Sequence, residues 1–179
     1  MTRLSDRHIP ARVEFVALLA AFALFLSTVE YMIPKPVPFM RIGLANLPLI
    51  IGLGILSDRE YFLLAVLKVF GQGLVTGTIF SYIILFSLAG TAASTLVMYV
   101  FYRFARRFIS LLGVSIAGAM ASNIAQLQLS RLILFGDAAR LIAPPFLAVG
   151  LVTSILLGLF AESFVVKSQW YAKQKENRP

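Results

Sequence analysis

From Val69 to Tyr102 the chain runs for 34 residues without a charged side chain. A helix that crosses the hydrocarbon of a bilayer needs roughly 20 mostly apolar residues. The interval is therefore too long for one crossing and too apolar for the surface of a soluble domain. Composition agrees, since only 13% of the 179 residues are charged, 59% are hydrophobic and the mean hydropathy is +0.87. Soluble domains carry about a quarter charged residues. The sequence reads as an all-α, polytopic integral membrane protein.

Intervals between charges, with glycine and proline as punctuation, predict six transmembrane helices. The first runs from Val13 to Ile33 and stops at the prolines Pro34, Pro36 and Pro38, which cannot continue a helix. The second, Ile42 to Ser57, has sixteen residues and is short for a core about 30 Å thick, so it either borrows flanking residues or is a half-span. The long uncharged interval breaks at Gly71, Gly73 and Gly77, giving a third span from Tyr61 to Val75 and a fourth from Ile79 to Phe101. A fifth covers Phe108 to Leu134. The sixth, Leu141 to Val166, is entered through Pro144 and Pro145 in its first turn. The apolar run from Phe15 to Val29 follows Arg3, Arg7 and Arg12 as in a secretory signal, but no small-x-small cleavage site comes after it, so an uncleaved first span is expected.

Six spans place both termini on one side. That side carries eleven cations against five on the other, which by the positive-inside rule makes both termini cytoplasmic. The expected organisation is a cytoplasmic tail over residues 1–12, a six-helix membrane domain over 13–166 and a second cytoplasmic tail over 167–179, in the cell membrane with the lipid bilayer as a partner. The net charge of +8 is then a topology signal. Its dispersal around helix ends argues against nucleic acid.

Several chemistries lack their residues. Without cysteine there is no disulfide, thiolate zinc site or cysteine nucleophile. Asp6, Asp58 and Asp137 are the only aspartates and lie far apart, so the clustered aspartates that hold magnesium against a diphosphate are not supplied by this chain alone. His8 is the single histidine and falls in the polar N-terminal tail. No Gly-Lys-Ser/Thr follows the glycines of the third span, so the chain is not its own ATPase. No enzyme and no cofactor are expected in this chain, and energy, if used, comes from another subunit or from an ion gradient.

Polar residues inside the spans stand out because a buried amide or charge is costly unless paired. Arg41, Gly43, Asn46 and Pro48 gather at the start of the second span. Arg41 and Asn46 either face a ligand cavity, or meet headgroups and bridge helices. Lys68 and Gln72 sit one turn apart in the third span, as cavity groups or with Lys68 snorkelling. In the fifth, Asn123, Gln126 and Ser130 share a face while Gln128 points away; they form a pocket wall or hydrogen-bond between helices. Small residues four apart allow close helix approach, and Ala17 with Ala21 in the first span is a candidate docking site for a partner's helix.

The stretch Arg41-Ile42-Gly43-Leu44-Ala45-Asn46-Leu47-Pro48, the Gly71 to Gly77 turn, and Gly113 to Ala119 leading to Asn123 and Gln126 resemble the family called heptaprenyl diphosphate synthase component I, or Gx transporters. The family is grouped with the substrate-binding S components of energy-coupling factor (ECF) transporters. It often carries a histidine before the span-five asparagine; here Ser122 stands there, and no imidazole role carries over. The resemblance implies an ECF S-component-like fold that captures a small-molecule substrate and depends on a transmembrane coupling subunit and cytoplasmic ATPases. The expected substrate-binding residues are Arg41, Asn46, Lys68, Gln72, Asn123 and Gln126, with Ala17 and Ala21 docking the coupling subunit. The other readings are a membrane accessory subunit of isoprenoid (heptaprenyl diphosphate) synthesis and a stand-alone permease.

Overall fold

The computed structural model describes residues 11–34 and 40–176. Most of the expected N-terminal tail, His8 within it, Lys35 and the rest of the proline loop lie outside the described residues. The described residues are helical, without a strand. The helices are α1 (Ala11–Met32), α2 (Leu47–Gly52), α3 (Asp58–Val75), α4 (Ile83–Ala105), α5 (Leu111–Ser130), α6 (Ala139–Lys167) and α7 (Gln169–Glu176). Three stretches among them are long and apolar enough to cross a membrane: Arg12–Met32, Ile83–Ala105 and Leu111–Lys167. The last doubles back, because a π turn at Arg131–Phe135 and a 3-10 turn at Gly136–Ala138 let α5 and α6 pack on each other.

Side-chain pairs define the two ends of the bundle. Arg12 on α1 forks onto Glu60 on α3 with two bonds of 2.8 Å, and the Phe15 ring lies 5.4 Å from that of Trp170 on α7. The beginnings of α1 and α3 thus share an end with α7. At the far end of α1, Glu30 accepts the backbone N–H groups of Ile42 (2.9 Å) and Gly43 (3.1 Å). The chain from Gly43 to Ser57 therefore runs from the Glu30 end to the Arg12 end, through the interior.

It does so with only six α-helical residues, all of them buried. A 3-10 turn, Leu44–Asn46, leads into α2, where Pro48 occupies the first turn without wasting a hydrogen bond. Beyond α2 the backbone stays paired, Leu53 N–H donating to the Leu49 carbonyl at 3.2 Å and Leu56 N–H to that of Gly52 at 2.8 Å. Irregular backbone at membrane depth is tolerated where protein covers it. Leu49 and Ile50 of α2 are buried in one apolar cluster with Val16 and Leu19 of α1 and Tyr61 and Leu64 of α3, which supply that cover.

Expected boundaries move in the fourth, fifth and sixth spans. The fourth helix begins at Ile83 rather than Ile79, because Gly77 takes φ 67° and Thr78 N–H returns to the Gly73 carbonyl at 2.9 Å, turning the chain before it can coil again. The fifth begins at Leu111, where the Ser110 hydroxyl accepts the Gly113 N–H at 3.3 Å and Glu162 of α6 accepts that of Leu112 at 3.0 Å. It ends at Ser130. The sixth begins at Ala139, so Pro144 and Pro145 lie inside the helix, past the first turn. Arg131 and Arg140 both reach Asp137, at 2.9 and 3.6 Å, which anchors the turn that starts it.

Helices α4, α5 and α6 approach closely through glycine. A methyl group on Gly158 would sit 2.8 Å from the Leu112 Cα, and one on Gly118 would meet Met98 at 2.4 Å. At the Arg12 end, residues 169–176 of the expected tail form α7, whose Tyr171 is buried against Gly54.

Candidate functional site

Seven residues make nearly two helical turns, so Val16, Ala23 and Glu30 lie on one face of α1. All three are buried, and Glu30 is only 2% exposed. Its carboxylate clamps the backbone at Ile42 and Gly43. Gly43 fits there because its φ of 96° suits a residue without a Cβ. From the other side the Thr153 hydroxyl of α6 donates to the Ile42 carbonyl at 2.8 Å. The loop bearing Arg41 is thus fixed between α1 and α6.

Arg41 is half-buried and interacts electrostatically with Glu30, as does Lys68. Lys68 lies on the buried face of α3, and its ammonium donates to Asn46 Oδ1 at 2.5 Å. Gln72 follows one turn later on the same face. Helix α4 adds Ser87 and Thr91, and α5 adds Ser122. Together these groups line a narrow polar cavity of about 20 Å³, room for about one water in this conformation, so a larger ligand enters only as the groups around it part. The Lys68–Asn46 hydrogen bond spans it in this conformation. Formally the cavity holds two cations against one carboxylate, ringed by amides and hydroxyls. An arginine fork, a lysine and neutral donors are the groups that recognise carboxylates and phosphates.

Of the six candidate binding residues, Arg41, Asn46, Lys68 and Gln72 line this cavity together. Gln126 stands just behind it, its Nε2 donating to the Ser122 hydroxyl at 2.9 Å. Its Oε1 is buried with no hydrogen-bond partner among the described residues. Gly90 makes room for this amide, since a Cβ there would lie 2.6 Å from Gln126 Nε2. Asn123 points elsewhere. It donates to the Phe146 carbonyl of α6 at 3.4 Å and lies against Gly150, so it joins α5 to α6. Ala17 and Ala21 are exposed on the outer face of α1, beside Leu18, Phe22 and Phe25.

Glu30, Ser87 and Thr91 are cavity residues not singled out from sequence, whereas Ser122 was noted beside Asn123 but not placed among the binding residues. The seven-residue spacing from Val16 was the available signal for Glu30. The α4 hydroxyls carry a similar one, since Ser87, Thr91, Ser94 and Thr95 fall on a single buried stripe. Among the described residues no three His, Asp or Glu side chains gather as a metal site requires.

No curated protein and no solved structure matches the chain. The family description of heptaprenyl diphosphate synthase component I matches residues 19–164, a stretch that runs from α1 into α6 and includes every residue lining the polar cavity. The chain belongs to the heptaprenyl diphosphate synthase component I family.

Proposed function

We propose that the chain is a membrane-embedded binding component that takes an anionic ligand into the cavity between α1, α3, α4 and α5, with six crossings and both termini in the cytoplasm. One observation carries the reading: Lys68, buried in an apolar bundle, and the half-buried Arg41 face a cavity with a single carboxylate, Glu30. Ionisable groups at membrane depth are costly, and a surplus of positive charge there is best used by an anion. The family name supports prenyl diphosphate synthesis as the setting, with a separate synthase component making the bonds and this chain holding a diphosphate-bearing ligand.

The second reading is an ECF-type S component, powered by a coupling subunit and ATPases. It is favoured by the exposure of Ala17 and Ala21, small residues one turn apart that would let a crossing helix approach closely.

Inorganic diphosphate titrated into the full chain in lipid nanodiscs tests the cavity. Binding that weakens at least about ten-fold in Arg41→Gln and in Lys68→Gln supports it. Unchanged binding in both variants, or an uncharged small molecule found by mass spectrometry to copurify in the cavity, overturns it. The setting is read separately. Altered prenyl chain synthesis on adding the chain to a soluble synthase component favours the first reading, and ATP-dependent uptake into proteoliposomes with a coupling subunit favours the second.

A further inference from the structure

We infer that the ligand is an amphiphile whose single apolar tail lies in the groove between α3 and α4, so that it enters the cavity sideways from the bilayer. The inference rests on the anion-cavity reading and extends it. The groove, of about 340 Å³, is walled by Phe62, Val66 and Phe70 of α3 and by Leu88, Ala92 and Leu96 of α4. Thr91 lines this groove and the polar cavity alike, so a single buried side chain stands between the two, and its rotation is what would join them.

Their alignment suits one molecule. Lys68 and Ser87, on the cavity side, are level with Phe70 and Leu88 at one end of the groove. From there the walls continue towards the Arg12 end for the eight residues back to Phe62, about 12 Å of helix. A tail lying there runs along the helices, as lipid chains do, with its head at Arg41 and Lys68. A small hydrophilic anion would use none of this hydrocarbon surface. A two-chain phospholipid would leave one chain without a groove. One tail with a multiply charged head fits both halves, and an isoprenoid diphosphate is that kind of molecule.

The test uses the full chain in nanodiscs, with empty nanodiscs as the blank, and three probes: geranylgeranyl diphosphate, inorganic diphosphate and geranylgeraniol. With uptake into the empty nanodiscs subtracted, geranylgeranyl diphosphate is expected to bind at least about ten-fold more tightly than inorganic diphosphate, because the groove adds tail packing to the contacts of the head. Geranylgeraniol, lacking the anion, should bind weakly. Ala92→Trp fills the groove and should bring geranylgeranyl diphosphate to within about three-fold of inorganic diphosphate, whose own binding stays as in the wild type. A diazirine-tailed prenyl diphosphate should crosslink to residues 62–70 and 88–96 of the unaltered chain, a readout independent of that variant's folding. If inorganic diphosphate binds and the tail adds nothing, or crosslinks fall elsewhere, the tail inference fails and the cavity reading stands. If phosphatidylglycerol competes equally, the single-tail inference fails. If no anion binds, both fail.

Discussion

Replacing Lys68 with methionine separates a binding role from a structural one. The ammonium is buried on α3 and donates to Asn46 Oδ1. Methionine keeps most of the side chain's length and removes the charge. Leaving Asn46 Oδ1 without its donor costs about 1–3 kcal/mol. Against this, a buried ammonium carries a desolvation penalty of several kcal/mol that the variant no longer bears. Glu30 loses one of its two cationic neighbours but keeps the Ile42 and Gly43 N–H groups. The net change in stability should therefore be small, within about 2 kcal/mol in either direction. Binding behaves differently. A unit negative charge about 4 Å from the ammonium gains about 4 kcal/mol at an effective dielectric constant near 20, so its loss weakens an anion roughly 1,000-fold. Thermal unfolding can be followed through Trp170, the only tryptophan, packed between Phe15 and Phe164; affinity comes from titration with inorganic diphosphate. A Lys68→Met protein that melts far below the wild type yet binds diphosphate equally well would refute the reasoning and leave Lys68 as a structural tie to Asn46.

Gly158→Ala should destabilise the chain by about 1–3 kcal/mol, because the new methyl meets the Leu112 backbone at 2.8 Å and α5 must move; an unchanged melting temperature would show slack at that contact. Gly150→Ala should cost less, since the atom it meets is the rotatable end of Asn123, whose hydrogen bond is already long at 3.4 Å. Bonding from Arg12 holds the Glu60 carboxyl down at about 2 against an ordinary 4.5. The pair's contribution is thus complete above about pH 4.5 and disappears as the pH falls towards about 2. Both side chains are partly exposed, so it amounts to about 0–1 kcal/mol, and Arg12→Gln should flatten the stability-versus-pH curve in that window and leave the neutral-pH shape unchanged. Ala21→Leu and Ala17→Trp, on an exposed face, should leave the stability within about 0.5 kcal/mol of wild type. Under the importer reading they should also abolish copurification with a coupling subunit, and intact complexes would remove the docking role.

The helical, membrane-embedded character was legible because uncharged intervals of this length have few other solutions, and α1, α4, α5 and α6 follow them. The second segment was legible only as too short. Its residues are apolar on every side, so no periodicity distinguishes a short helix inside the bundle from a span that touches lipid. In the cavity, Lys68 and Gln72 were found by spacing, and Asn46 and Arg41 by their cost in hydrocarbon. Glu30 was passed over because it stands near Pro34, where a charge reads as a helix end, although its place in the α1 stripe puts it inside. Asn123 was grouped with Gln126 by a valid face argument, but α5 is packed between α4 and α6. The 60° between residues three apart sends Gln126 towards α4 and Asn123 towards α6.

The six-residue α2 also bears on how the protein is made. A segment with so little helix relies on other helices, since Glu30 and Thr153 satisfy the backbone at Ile42 and Gly43 that leads into it, and in lipid each unmet group costs several kcal/mol. Residues 43–57 must therefore pass from the insertion machinery together with a neighbour. Glu60 binds both Ser57 and Arg12, which makes α3 and α1 the natural companions. Chains arrested before α3 emerges should be caught by membrane quality control, and those released after α6 should not. The polar cavity, walled by α1, α3, α4 and α5, then comes into existence late in synthesis, when most of the bundle is already in the bilayer.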